Sequence, residues 1–220
     1  MSENTGSISI SRLIFVPAVI TLAITILRLV GELEHWSKLL FNPTPGGGAA
    51  IIGITWLPII FGPYFAAKLA AAGEGPSGAG KVIGYAVLGL VITVGGTFLA
   101  FSPKPAFPGK ELIGILLMAA GALVQFVPWG ALAKTLLAYA YAARIPVAIL
   151  MYFAIRGNWG THYDLLPPGY AGSLEFWPKY LEIGLIPQLI FWVAYTMIVG
   201  ALFGALWLLI FHRKPAAQPA

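Results

Sequence analysis

Arg144 is the residue of this sequence whose charge fits its surroundings least. It lies within an apolar run from about residue 132 to 155, with about 12 residues, or roughly 18 Å of helix, on either side. A guanidinium at that depth in a membrane costs at least about 2.5–3.5 kcal/mol, so we expect it to face a bundle interior or watery cavity and to have a partner. Tyr141 lies one turn earlier on the same helix face. Arg144 either binds an anion or lipid headgroup, takes part in a gating pair, or is structural and joins two helices or snorkels.

A second polar group closes the first apolar run. Arg28, Glu32 and His35 are spaced four and three residues apart, which places them on one face if the helix continues. Local ion pairs at a helix end are the plain interpretation of this spacing. The sharper alternative is that Glu32 pairs with Arg144 or Arg156, or carries a proton.

A third group lies in the polar stretch 156–182, which we expect to form an aromatic-rich loop at the membrane interface. His162 and Asp164 could form a general acid–base pair in which the carboxylate orients the imidazole, and Glu182 lies further along. A metal site would need two or three ligands at fixed helical spacing, and only one His is present here, so we expect no metal site. The alternatives are a lipid-processing active site and a lid or docking surface.

The composition indicates which elements position these groups. Hydrophobic residues make up 59% of the 220 residues and charged residues 10%, whereas a soluble domain carries about 25% charged residues. Too little polar surface remains to cover the chain with water, so lipid must be part of its solvent. The absence of Cys excludes disulfides, thiolate metal sites and iron–sulfur clusters, and we expect no resident cofactor.

Segments of about 20 apolar residues are long enough to cross a bilayer, and Gly- and Pro-rich breaks separate them. We therefore predict an all-α, polytopic integral membrane protein, a single transmembrane domain over residues 1–220 with a bundle of about six helices. The predicted spans are approximately 12–30, 49–72, 81–101, 112–127, 132–155 and 183–211.

Prolines inside the second and fifth spans predict kinks in both helices. The second span contains Pro58 and Pro63, and the fifth contains Pro146. Interrupted helices at matching positions of two halves are typical of transporters with inverted repeats. The alternative is that these prolines are ordinary features of membrane helices.

Two glycine patterns bear on partners. Gly200 and Gly204 form a small-xxx-small pattern in the sixth span, which indicates either close packing inside the bundle or a homodimer seam. Residues Gly75–Lys81 fit part of a phosphate-binding loop, but Val82 follows where Ser or Thr is needed and no strand precedes it, so we expect no nucleotide binding. The basic residues are scattered singly, so we expect no nucleic acid either.

Three function classes remain open. The favoured one is a subunit, scaffold or assembly component of a membrane complex, with the lipid bilayer and partner subunits as its contacts. The second is a small transporter or channel that uses Arg144, and the third is an interfacial lipid-processing enzyme that uses His162 and Asp164. Basic residues are equally divided between the two sides, and the tail residues Arg213 and Lys214 favour cytoplasmic termini in a plasma or inner membrane.

Overall fold

The computed structural model describes residues 8–45, 50–170 and 172–211, and over these residues it is helical without a strand. The helices, in chain order, are α1 (Ile10–Leu33), α2 (Leu57–Ala71), α3 (Ala79–Phe101), α4 (Lys110–Leu123), α5 (Gly130–Gly157) and α6 (Phe176–Phe211). Among the described helices, α1, α3, α5 and α6 are the four that are long and apolar enough to cross a membrane. The all-helical prediction is confirmed over the described residues, and these helices indicate a membrane location.

The two shorter helices differ from the predicted spans. α2 has 15 residues and begins at Leu57 rather than near residue 49, because residues 50–56 are apolar but not helical. α4 has 14 residues, and a 3₁₀ turn at Val124–Phe126 extends it. A hydrocarbon core needs about 20 helical residues, so both fall short of that length.

The predicted proline kinks in the second and fifth spans are not confirmed. α2 and α5 are helical on both sides of Pro63 and Pro146, and α1 likewise contains Pro17. Pro58 lies in the first turn of α2, where a helix needs no N–H donor and proline is tolerated. An internal proline therefore does not distinguish α2 and α5 from α1, and neither helix is interrupted at its proline.

Contacts between the connecting segments define two ends of the bundle. At the first end, Glu74 accepts hydrogen bonds from the Ile8 N–H (3.3 Å) and the Trp129 indole N–H (2.6 Å). These bonds join the start of α1 to the α2–α3 and α4–α5 connections. At the second end, Glu32 near the close of α1 contacts His162 in the α5–α6 connection. Successive helices therefore run in opposite directions.

Glycines allow the helices to approach closely. A Cβ on Gly96 of α3 would lie 2.6 Å from the Gly114 carbonyl oxygen of α4, so the two backbones are in contact there. On α6, a Cβ on Gly200 would meet the Leu136 side chain of α5, and one on Gly204 would lie 3.0 Å from the Ala66 Cβ of α2. The small-residue pattern of α6 therefore packs against α2 and α5 inside the bundle, and a homodimer through this helix stays a prediction.

An aromatic cluster lies in the core between the two ends. The Tyr139 ring packs edge-on against Phe61 and Phe65, with ring centroids 5.4 and 5.5 Å away. Its hydroxyl lies 2.8 Å from the Thr21 hydroxyl, which also donates to the Pro17 carbonyl. These side chains join α1, α2 and α5 through buried contacts.

The first half of α6 is not a regular α-helix. Residues Tyr180–Leu185 and Pro187–Phe191 form π-helical turns before the α-helix resumes at Trp192. π-Helical turns are rare and frequently occur at functional sites. This segment carries Glu182 and Gln188, which both line a cavity in the bundle.

Candidate functional site

The described residues enclose a cavity of about 1040 Å³ near the second end of the bundle. This volume lies at the upper limit of the 300–1,000 Å³ (roughly) typical of small-molecule pockets. The exposed residues Pro103 and Gly169 of two connecting segments line it, so it opens at that end. Apolar side chains dominate the wall, among them Ile54, Ile59, Val147, Met151, Ile183 and Ile186.

Arg144 of α5 lines this cavity and is only 4% exposed. Its Nη1 donates a long hydrogen bond of 3.4 Å to the Gln188 side-chain oxygen, and its Cζ lies 4.7 Å from the centroid of the Trp192 ring. Its Nε is buried without a hydrogen-bond partner. Among the described residues, no carboxylate lies within ion-pair distance of this guanidinium. Within the part of the chain that the structure describes, this buried positive charge therefore contacts an aromatic ring and a side-chain amide.

The predicted neighbour Tyr141 does not share the environment of Arg144. Tyr141 is 37% exposed, whereas Arg144 is buried. The helix presents Arg144 toward the π-helical part of α6, and Tyr195 of α6 lines the same cavity. The residues that solvate Arg144 thus come from a helix about 45 positions away in sequence, which local spacing could not reveal.

Glu32 of α1 is the centre of a second buried group on this side. Its Oε1 accepts hydrogen bonds from Arg28 Nε (2.8 Å) and His162 Nδ1 (2.6 Å), and its Oε2 accepts the His162 backbone N–H (2.9 Å). Glu32 is 3% exposed. The four-residue pair of Arg28 and Glu32 forms as its spacing predicts. Glu32 does not pair with Arg144 or Arg156. Its carboxylate is instead occupied by Arg28 and by His162 of the α5–α6 connection.

His35 does not extend this face. α1 ends at Leu33, and His35 adopts a backbone φ of 52°, in the left-handed region. The predicted spacing of Arg28, Glu32 and His35 assumed that the helix continues, and it does not.

Asp164 has a local role that differs from the predicted one. Its carboxylate accepts hydrogen bonds from the backbone N–H groups of Gly160 (2.9 Å) and Thr161 (2.8 Å) and from the Thr161 hydroxyl (2.7 Å). These bonds close a turn in the α5–α6 connection. The predicted pairing of His162 with Asp164 is therefore wrong, and Glu32 orients the imidazole instead.

The electrostatics of His162 combine burial with a carboxylate contact. Burial lowers the pKa of His162 below its ordinary value even though the hydrogen bond to Glu32 opposes this shift. The neutral ring then donates its Nδ1–H to Glu32, and Nε2, on the opposite side of the ring, is left as a proton acceptor. His162 lines the cavity.

No family model, curated protein or solved structure matches this chain.

The remaining predicted residues lie at the margin of the cavity or outside it. Arg156 is exposed and donates to the Tyr152 hydroxyl (3.1 Å). Glu182 lines the cavity and accepts the Tyr170 hydroxyl (2.7 Å), which joins α6 to the α5–α6 connection. Within the described part of the chain, no group of three His, Asp or Glu side chains could hold a metal ion.

Sequence reasoning missed several residues of the wall. Lys110, at the start of α4, is buried and donates to the Ser102 carbonyl (2.6 Å). Gln188 is a polar residue inside the apolar run 183–211, which was a signal in the sequence that could have identified it. Trp192 and Tyr195 gave no such signal, because aromatic residues are common throughout the chain.

Proposed function

We propose that this protein binds an anionic amphiphile in the cavity and carries it across the membrane. The observation that supports this function best is the buried guanidinium of Arg144, which has no carboxylate within ion-pair distance among the described residues. Burying a charge is costly unless a counter-charge or water compensates it. An anion in the cavity would supply the missing charge and the acceptor for the buried Nε.

The apolar wall favours an amphiphile over a small inorganic anion. The cavity is lined mainly by aliphatic and aromatic side chains, with a few polar groups near Arg144. Such walls bind hydrocarbon, while a guanidinium binds a carboxylate, phosphate or sulfonate head through two parallel hydrogen bonds. These features favour the transporter interpretation over the role as a complex subunit that the sequence favoured.

A carrier of this kind would use all the described helices as spans. We propose that α2 and α4 cross the membrane with the four longer helices, because connections alternate between the two ends of the bundle. The first end, where α1 begins and α6 finishes, would face the cytoplasm, as the basic residues Arg213 and Lys214 favour. The cavity would then open to the other side.

Binding can be tested with the full chain in phosphatidylcholine nanodiscs. Octanesulfonate is titrated while tryptophan emission is recorded, since Trp192 packs against Arg144. We expect Arg144→Gln to weaken binding by about tenfold or more, because a hydrogen bond to a charged group contributes about 1.5–3 kcal/mol. Arg156→Gln is the matched control on the same helix and should bind like the wild type. Equal affinities for Arg144→Gln and the wild type would remove Arg144 from the site.

Further ligands distinguish the sources of the anion. Octanol tests the need for charge and should bind far more weakly than octanesulfonate. Replacing part of the phosphatidylcholine by phosphatidylglycerol should compete with octanesulfonate if lipid headgroups occupy the site. Binding of inorganic phosphate with equal affinity would contradict a role for the apolar wall.

Transport is tested separately in proteoliposomes. We expect the wild type and Arg156→Gln to accumulate octanesulfonate, and Arg144→Gln to insert normally without flux. Tight binding by the wild type without flux would contradict transport and leave a binding protein.

A further inference from the structure

The cavity wall carries a second group that can change charge, the imidazole of His162. Its Nδ1 lies 2.6 Å from Glu32 Oε1, and its backbone N–H donates to the other oxygen of the same carboxylate at 2.9 Å. His162 is therefore held to one carboxylate by two hydrogen bonds, one from its ring and one from its backbone. The opposite nitrogen, Nε2, has no hydrogen-bond partner among the described residues and can accept a proton.

We infer that His162 takes up a proton when an anion binds in the cavity, so that the protein carries the anion together with a proton. This inference rests on the proposed function and adds the second transported species. The proton comes from solvent and binds Nε2, while Nδ1–H remains donated to Glu32. No covalent bond of the ligand forms or breaks, and the anion and proton leave as they entered.

The charges around His162 explain why the two events are coupled. α1 contributes Arg28 and Glu32, which pair with each other at 2.8 Å. The α5–α6 connection contributes Asp164, whose carboxylate accepts the backbone N–H groups of its own turn. The cation that opposes protonation of His162 is Arg28, and Arg144 on α5 lines the same cavity. A protonated imidazole in the empty cavity would therefore add a positive charge to a wall that already holds two guanidinium groups. A bound anion would offset this positive charge.

The other titratable groups of the cavity are less suited to this role. Lys110 and Glu111 of α4 pair with each other at 3.5 Å, and Glu182 of α6 accepts the Tyr170 hydroxyl. The Tyr163 ring is tilted against the His162 ring with centroids 3.8 Å apart, and its hydroxyl donates to the Thr25 carbonyl at 3.4 Å. Glu32 itself already accepts three hydrogen bonds and is 3% exposed. His162 is the group of this set with an open basic atom.

Coupling is reciprocal, so it can be measured from either ligand. If binding takes up a proton, the affinity for the anion must decrease as the pH rises, by about tenfold per pH unit when one proton is taken up. Burial lowers the pKa of His162 in the empty cavity, so this dependence should begin below the ordinary histidine value and extend through neutral pH.

The experiment is calorimetry of octanesulfonate binding to the full chain in phosphatidylcholine nanodiscs near neutral pH. The sulfonate remains ionised throughout, so any proton taken up belongs to the protein. Heats are compared in phosphate and in Tris, which release protons with different enthalpies. We expect about one proton per bound anion in the wild type and in His35→Gln, and none in His162→Gln.

The outcomes separate this inference from the proposed function. Equal binding heats in the two buffers, or proton uptake that persists in His162→Gln, would overturn the coupling while leaving anion binding intact. Absence of binding in the wild type would overturn the proposed function instead. If His162→Gln does not fold, the pH dependence of the wild-type affinity decides, and a flat dependence refutes the coupling.

Discussion

The carboxylate of Glu32 joins two parts of the chain that lie 130 residues apart. One oxygen accepts hydrogen bonds from Arg28 and from the His162 ring, and the other accepts the His162 backbone N–H. Because all these groups are buried or nearly so, each depends on the others for its hydrogen bonds. The α5–α6 connection is therefore fixed to α1 by one side chain.

Replacing Glu32 by Gln should destabilise the protein strongly. The substitution removes the buried negative charge beside Arg28, and breaking a buried ion pair in this way costs about 3–5 kcal/mol. The free energy of unfolding is measured by SDS titration in mixed micelles. Glu34→Gln, at an exposed position just beyond α1, should change it by less than about 0.5 kcal/mol. Similar effects of the two substitutions would show that Glu32 has no special structural role.

The stability of the protein should also depend on the protonation of His162. Burial lowers the pKa of His162 in the folded state, while the unfolded chain binds a proton near the ordinary value of about 6.5. The free energy of unfolding should therefore be constant above that pH and decrease as the pH falls through it, with a slope of at most about 1.4 kcal/mol per pH unit. The wild type and His162→Gln are compared between neutral and mildly acidic pH. A wild type that becomes more stable on acidification relative to His162→Gln would contradict this sign.

At the scale of single residues, the sequence predicted local relations and missed distant ones. The pair of Arg28 and Glu32 follows from helical spacing, and the burial of Arg144 follows from its place in an apolar run. The contact of Glu32 with His162 and of Arg144 with Trp192 depends on tertiary packing. No local pattern encodes these contacts, and the nearer residue Asp164 was the wrong choice for His162.

At the scale of helices, neighbouring glycines on α3 have opposite environments. A Cβ on Gly96 would lie 2.6 Å from the Gly114 carbonyl oxygen, whereas a Cβ on Gly95 would meet nothing within 4 Å. We expect Gly96→Ala to lower the free energy of unfolding by about 1–3 kcal/mol, because the α4 backbone must move to admit the methyl group.

Gly95→Ala is the control for this prediction, since it adds the same methyl group one residue away. It should leave stability unchanged or raise it slightly, because Ala is favoured over Gly within a helix. Both variants are compared by SDS titration. Equal effects would mean that helix propensity, and not the contact between α3 and α4, determines the result.

The limits of a helix could be predicted where the apolar segment of the sequence and the helix have nearly the same bounds. Residues 81–101 were predicted as a span, and α3 occupies 79–101. The prediction was least accurate before α2, because residues 50–56 are mostly apolar but not helical, and most of them line the cavity. Hydrophobicity indicates that a segment is buried or in contact with lipid, but it does not show whether that segment is helical. The π-helical turns of α6 likewise leave no mark in composition.

At the scale of the whole molecule, the alternating connections predict which loops share a side. The chain contains no Cys, so a single introduced cysteine would be the one thiol that the reagent can label. Ser77 in the α2–α3 connection and Ala106 in the α3–α4 connection are both exposed. We expect a membrane-impermeant maleimide to label Ser77→Cys and Ala106→Cys from opposite sides of sealed vesicles.

The same labelling experiment includes its own check. A cysteine placed at Ser173, in the α5–α6 connection, should behave like the one at Ala106, because both connections lie at the second end. Labelling of Ser77→Cys and Ala106→Cys from one side would contradict the assignment of α3 as a span.

The aromatic cluster of Phe61, Phe65 and Tyr139 determines how far a molecule in the cavity could travel. Thr21, which contacts Tyr139, lies one turn from the cavity residue Thr25 toward the first end of the bundle. A molecule bound at Arg144, as proposed, would therefore have three packed rings between it and the first end of the bundle. Passage to that end would require these rings to move apart and the hydrogen bond between Tyr139 and Thr21 to break.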